Sequence, residues 1–151
     1  MVASGTVTEY NGITELSSSA ATISIWSYAR ELVQPKMMVY NQLLGESIEG
    51  LLVTVEGTVS SIPAYAGGGY NMEIRNGNAP LAVRIGESSG FNLTPFVYGA
   101  KVRVTGIVSQ YDKEAPYNSG YQLVPRFGTA YSYDGVNYPP DMAVLTDTMA
   151  A

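Results

Sequence analysis

The 151-residue chain contains neither cysteine nor histidine. Their absence removes the thiolate nucleophile, the imidazole base and nearly every transition-metal site. Disulfide staples are excluded too, but a chain of this length buries roughly two-thirds of its unfolded surface and folds without them. Charge is scarce: only 14% of residues are ionic, and 8 Lys and Arg against 13 Asp and Glu give a net charge of -5. Such a chain repels a phosphate backbone at long range unless its few cations gather on one face. Long apolar runs are missing as well, none approaching the roughly 18 residues of a membrane helix, so no membrane partner is expected. The first residues, Met1 to Gly5, have neither the charged nor the apolar region of a signal peptide, so the leader of an exported form would lie outside this chain.

What is abundant points to β-structure and turns: 12 Tyr, 16 Gly and 8 Pro in a chain that is 46% hydrophobic. Leu51, Val53, Val55 and Val59 alternate with Thr54, Glu56 and Thr58, the period of a half-buried strand. Gly57 falls on the apolar parity and predicts a bulge or bend. Tyr70, Met72 and Ile74 alternate with Asn71, Glu73 and Arg75; Asn76-Gly77-Asn78 makes the turn; Leu81, Val83 and Ile85 alternate with Ala82 and Arg84. A fourth strand carries Val102, Val104 and Val108, with Gly106 in its middle, and a short fifth is Tyr121 to Val124, ended by Pro125. The stretch between Gly86 and Gly99 has no helical period and reads as a loop with at most one short turn. Five strands in this order predict an all-β domain, a five-stranded OB-fold Greek-key barrel over residues 46–126, with a β-sandwich as competitor.

An internal repeat precedes the barrel. Gly5-Thr6-Val7-Thr8-Glu9-Tyr10, Asn11-Gly12, Ile13-Thr14-Glu15-Leu16 parallels Gly106 to Tyr111 and, after an insertion, Gly120-Tyr121-Gln122-Leu123. It predicts an N-terminal hairpin, the remnant of a preceding repeat, within residues 1–45. A two-stranded hairpin alone is marginal in water, so Val7, Tyr10, Ile13 and Leu16, with the lone Trp26 as an anchor, are expected to meet a sheet. Pro35 to Gly45 suggests a short helix. Residues 127–151 form an irregular tail rich in Tyr and Pro, expected to pack on something.

The pieces GTVTEYNGITEL, ESIEGLLVTVEGTVSS, VYGAKVRVTGIVSQY and GYQLVPR resemble the tandem OB-like modules that accompany secreted bacterial nucleases of the endonuclease/exonuclease/phosphatase superfamily. The resemblance covers most of residues 5–126 and implies an exported accessory module. It does not bring catalysis with it, because the metal-binding and general-base residues of such nucleases belong to a separate domain.

OB-folds bind along their second and third strands and the adjoining loops. That places Tyr65, Tyr70, Arg75 and Arg84, with Asn71 and Glu73, on a binding face flanked by Tyr111 and Tyr117. Tyrosines there would stack bases or sugar rings and the arginines would meet phosphates, yet two cations beside Glu73 are few for a nucleic-acid groove. Two oxygen-rich loops, Asp112, Glu114 and Asn118, then Asp134, Asn137 and Asp141, offer ligands that calcium accepts, although ordinary turn chemistry accounts for both. Gly67-Gly68-Gly69 lacks the lysine and helix of a phosphate cradle. The pairs Glu46/Glu49 and Asp141/Asp147 are read as surface charge.

Two functions follow. One is a non-catalytic extracellular structural module, supported by calcium if by any cofactor, that exchanges its hairpin or tail with other copies of itself into a homo-oligomer or fibre. The alternative is an accessory OB domain of a secreted nuclease that binds nucleic acid or another polymer.

Overall fold

The computed structural model describes residues 2–17, 21–24, 32–38, 45–133 and 135–146. Trp26, Asp134, Asp147 and residues 39–44 of the expected short helix lie outside the described residues.

The N-terminal segment is a two-stranded ribbon. β1 (Val2–Ser4) pairs antiparallel with β4 (Thr22–Ser24), and between them β2 (Val7–Tyr10) pairs with β3 (Ile13–Leu16). Asn11 and Gly12 turn the chain with φ of 51° and 91°, both in the left-handed region that a two-residue hairpin of this hand needs. The ribbon meets the rest of the molecule at its tip, where the Asp112 N–H donates to the Asn11 carbonyl at 2.7 Å and Gly12 is buried against the side chain of Gln110.

β5 (Lys36–Met37) runs parallel to residues Val53 and Thr54, and the Met38 N–H donates to the Thr54 carbonyl. The start of the expected helix is therefore extended: the open edge of the first barrel strand offers ladder partners that an isolated short helix lacks.

The barrel is built from β6 (Leu52–Tyr65), β7 (Gly69–Asn76), β8 (Ala79–Gly86), β9 (Lys101–Gln110) and β10 (Tyr121–Val124). β6, β7 and β8 form an antiparallel meander, β10 joins β8 in parallel, and β9 pairs with both β10 and β6 to close the circle. This is the OB-fold connectivity that the alternation predicts. Val53, Val55, Val59, Met72, Ile74, Leu81, Val83, Ile85, Val102, Val104, Val108 and Leu123 fill the interior, each of the larger ones stabilising the fold by about 1.5–3 kcal/mol. Leu51, assigned to the same parity, lies outside β6 and is exposed. The β8–β9 connection holds a single short 3-10 turn, Glu87–Ser89, and Phe96 from that loop plugs the core.

Gly57 is not a bulge. Register between β6 and β9 runs unbroken from Leu52 to Thr58, and the irregularities of β6 fall after Val59, in its pairing with β7. Thr58 pairs with Lys101 on one side and Arg75 on the other, so the strand hands over from one neighbour to the next at this point. A Cβ on Gly57 would lie 2.9 Å from the Arg75 carbonyl oxygen, and the glycine is there for space.

The C-terminal segment adds order of its own. β11 (Tyr131–Tyr133) and β12 (Val136–Tyr138) form a hairpin, and β13 (Met142–Val144) pairs with the Val102 to Val104 end of β9. Met142 enters the core, while Tyr131 stacks on Tyr138 at 5.2 Å and tilts against Phe127 at 4.4 Å. No helix among the described residues is long and apolar enough to cross a membrane.

Candidate functional site

The outward parity of β7, β8 and β10 creates the site. Asn71 is the register partner of Arg84, and Gln122 that of Ala82. Arg84 is tethered: Nη1 donates to the Ala66 carbonyl at 2.7 Å and to Asn71 Oδ1 at 3.0 Å, and Nη2 to the Gly67 carbonyl at 2.6 Å. The guanidinium thus fixes the Gly-rich β6–β7 turn as one wall of a cleft of about 370 Å³, lined by Ala66, Gly67, Asn71, Arg84, Tyr111 and Gln122. Tyr111, exposed at the end of β9, forms the opposite wall, with the Lys113 ammonium 5.3 Å from its ring centroid.

The loop behind Tyr111 is held by two polar side chains. Gln110, fully buried, donates from Nε2 to the carbonyls of Tyr117 and Ser119 at 2.7 and 2.8 Å. Asp112 accepts from the Glu114 N–H at Oδ1 and from the N–H and hydroxyl of Ser119 at Oδ2. The Ser119 hydroxyl, above the backbone donors, holds the Asp112 carboxyl below its ordinary range.

Of the residues expected on the face, the structure brings together Asn71, Arg84 and Tyr111. Tyr70 lies on the inward parity of Met72 and Ile74, half-buried against the core, and Tyr65, its register partner, packs edge-on to it at 5.4 Å. Arg75 shares the outward side with Arg84 but pairs with Pro80, four residues further along β7 than Asn71, which puts it roughly 13 Å away. It forms an ion pair with Glu73 at 3.1 Å, so the two arginines do not make one cationic patch. Tyr117, with φ of 52°, is half-buried inside the loop and contributes its carbonyl to Gln110. Gln122 in the cleft lining and Lys113 against the Tyr111 ring lie beyond the expected set. Parity alone would have found Gln122, which alternates with the inward Leu123.

The same hydrogen bonds account for the acidic groups of the two oxygen-rich loops. Both oxygens of Asp112 accept from N–H and O–H donors of its own loop. Asp141 is buried and accepts from Arg126 Nε at 3.0 Å, Arg126 Nη2 at 3.1 Å and the backbone N–H groups of Arg126 and Phe127. Burial opposes the Arg126 charge, but the hydrogen bonds and charge of Asp141 outweigh it and raise the guanidinium pKa. Asn137 is exposed on β12, and Glu114 and Asn118 lie exposed on the β9–β10 loop. No group of three or more acidic residues among the described residues is arranged to hold a metal ion.

Val7, Tyr10, Ile13 and Leu16 also divide. Val7 pairs with Leu16 and Tyr10 with Ile13, three residues along, so the two pairs point to opposite faces of the ribbon.

No protein-family model matches the chain. Its sequence is similar to Endonuclease YhcR of Bacillus subtilis (strain 168), with 32% identity over 128 residues, 81% of this chain and 10% of that protein, so the chain spans about a tenth of its relative's length. Among solved structures it is similar to the aspartyl tRNA synthetase from Entamoeba histolytica, with a TM-score of 0.50 and 14% identity over 73% of this chain and 21% of that one. It also overlaps OBody AM3L09 bound to hen egg-white lysozyme, with a TM-score of 0.47 and 18% identity over 62% of this chain and 92% of that one. The chain carries an OB-fold domain whose sequence is related to a stretch of a bacterial nuclease.

Proposed function

We propose that this domain is a non-catalytic accessory module of an exported nuclease-type polypeptide, and that it holds a single-stranded nucleic-acid segment across the β7–β8–β10 face. One observation carries the reading: the cleft between the Arg84-tethered turn and Tyr111 lies where an OB barrel presents its strands, and it offers a phenol ring for stacking beside amides and a cation. The groups in it are amide, guanidinium and phenol, none of which the proposal uses as a general base. Arg84 and Lys113 stand at this cleft, so part of the scarce positive charge is gathered there despite the net charge of -5.

Self-assembly by strand exchange is less well supported. The five barrel strands pair around a closed circle, which leaves the short β5 and β13 as the edges of that sheet among the described residues.

The test is fluorescence anisotropy with a labelled single-stranded oligonucleotide at low salt. The intact chain is expected to bind, and Tyr111→Ala to weaken binding by about 1–3 kcal/mol through the lost stacking. Absence of binding at low salt, or a Tyr111→Ala variant that binds like the parent, defeats the proposal.

A further inference from the structure

The ribbon and the β9–β10–β13 part of the barrel match pair for pair. Val7 pairs with Leu16 as Val108 pairs with Leu123, Thr8 with Glu15 as Ser109 with Gln122, and Glu9 with Thr14 as Gln110 with Tyr121. Tyr10 opposite Ile13 repeats Tyr111 opposite Gly120, and Thr6 bonded to Ser17 repeats Ile107 opposite Val124. Beyond Gly5 and Gly106 the match continues: Ala3 pairs with Ile23 as Val104 pairs with Met142, and Val2 with Ser24 as Arg103 with Ala143. The sequence repeat covers only the hairpin; the added strand is a structural repeat, because the insertion between β10 and β13 hides it.

The two copies differ in what covers them. Val104, Val108, Leu123 and Met142 face the core and are buried, whereas their counterparts Val7, Leu16 and Ile23 are 67%, 39% and 69% exposed. By strand parity Ala3, Gly5, Val7, Leu16 and Ile23 share one face, which ends at Glu9 and Thr14 toward the ribbon tip, while Ser4, Thr6, Thr8, Thr22 and Ser24 share the other with Val2, Tyr10 and Ile13.

We infer that residues 2–17 and 21–24 supply the fourth strand, fifth strand and closing strand of a second OB barrel, whose first three strands, a meander like β6–β8, lie N-terminal to this module in the same polypeptide and cover the Ala3–Val7–Leu16–Ile23 face. A second copy is a poor source of that meander, since its own β6, β7 and β8 are already occupied by β9 and β10. The chain order is right, because the meander precedes β9 in the barrel seen here, and the relative it matches is long enough to hold further modules. The covering barrel continues a joint already present. The ribbon tip is seated on this barrel by the Asn11 carbonyl on the Asp112 N–H, by Gly12 on Gln110, and by the Thr14 N–H on the Glu49 carboxylate, so the two barrels are coupled through one tight turn.

The experiment fuses a copy of residues 46–100 ahead of Val2 and follows amide hydrogen exchange in residues 2–24. Exchange at Val7, Leu16 and Ile23 is expected to slow on the order of 100-fold or more relative to the unfused chain. Val7→Asp is expected to reverse that protection in the fusion while leaving the melting temperature of the unfused chain unmoved, and Thr8→Asp, on the hydroxyl face, to leave it intact. A companion fusion in which residues 2–17 are replaced by the 103–124 sequence shows whether the added meander can close on a hairpin of this register. If the companion closes and the natural ribbon stays unprotected, the inference is wrong. It is also overturned if the unfused chain forms a dimer that Val7→Asp disperses, which would assign the face to a second copy.

Discussion

Gln110 shows how one side chain can couple a loop to a neighbouring element. It continues the inward parity of Val102, Val104 and Val108, so the strand delivers an amide to the end of the barrel rather than another methyl group. Its Nε2 serves two carbonyls of the β9–β10 loop, and its Oε1, buried against Gly12, has no hydrogen-bond partner among the described residues. Gln110→Leu should therefore release the loop carbonyls at a cost of about 1–3 kcal/mol, and Gln110→Glu more, because a buried anion would face two carbonyl oxygens. Urea denaturation of the three proteins checks the order. Asp112, next but one along, sets the acid response of the same loop. Its folded-state pKa is depressed, so between that value and the unfolded value of about 3.9 the native state binds fewer protons and stability rises with pH. The contribution is fully present above about pH 4 and is lost as pH falls through the folded value. The Ser119 amide resonance should follow that titration, and in Asp112→Asn the acid-dependent step should vanish while the loop remains less stable at neutral pH.

Strands were readable because each barrel strand buries one side, and a period of two survives in the residue types. In β6 the order is carried by Val53, Val55 and Val59, which face the core, and the predicted β7–β8 hairpin lies within a residue or two of the observed one. What escaped was everything set by contact rather than period: β5, which exists only on the edge of β6; β13, which exists only on the edge of β9; and the reason for Gly57 and Gly106. Both glycines sit in mid-strand because another backbone passes close by. A Cβ on Gly106 would lie 2.7 Å from the Val124 carbonyl oxygen, which cannot withdraw without opening the β9–β10 pairing, and 3.0 Å from the buried Leu123 Cγ. Gly106→Ala should cost about 1–3 kcal/mol. Gly86 gives the contrast: its φ is -64° and nothing lies within 4 Å of an added Cβ, so Gly86→Ala should be neutral or stabilise by up to about 1 kcal/mol. Thermal melts of the two alanine variants, run side by side, separate close approach from backbone freedom.

For the molecule as a whole, the candidate site was only half readable, because it depends on which outward residues the closed barrel brings to one place. Strand parity puts Arg75 and Arg84 on one side, but only the tertiary pairing shows that Arg75 answers to Glu73 and that Arg84 is held by neutral carbonyls of the β6–β7 turn, which leave its charge at the cleft. The same accounting limits the electrostatics of binding. Arg103 is paired with Glu56 at 2.7 Å and Arg126 with Asp141, so the positive charge at the cleft comes from Arg84 and Lys113. Two phosphate contacts to a single strand give a slope of log K against log salt of about -1.4, at roughly -0.7 per phosphate. Affinity for a single-stranded oligonucleotide should accordingly fall by only about sevenfold for a fourfold rise in salt, and Lys113→Ala should halve the slope while Tyr111→Ala leaves it unchanged and lowers affinity at every salt concentration. Salt titrations of the three proteins distinguish this from general polyelectrolyte attraction: a slope steeper than about -3 would require cations the cleft does not present, and would move the binding surface elsewhere on the barrel.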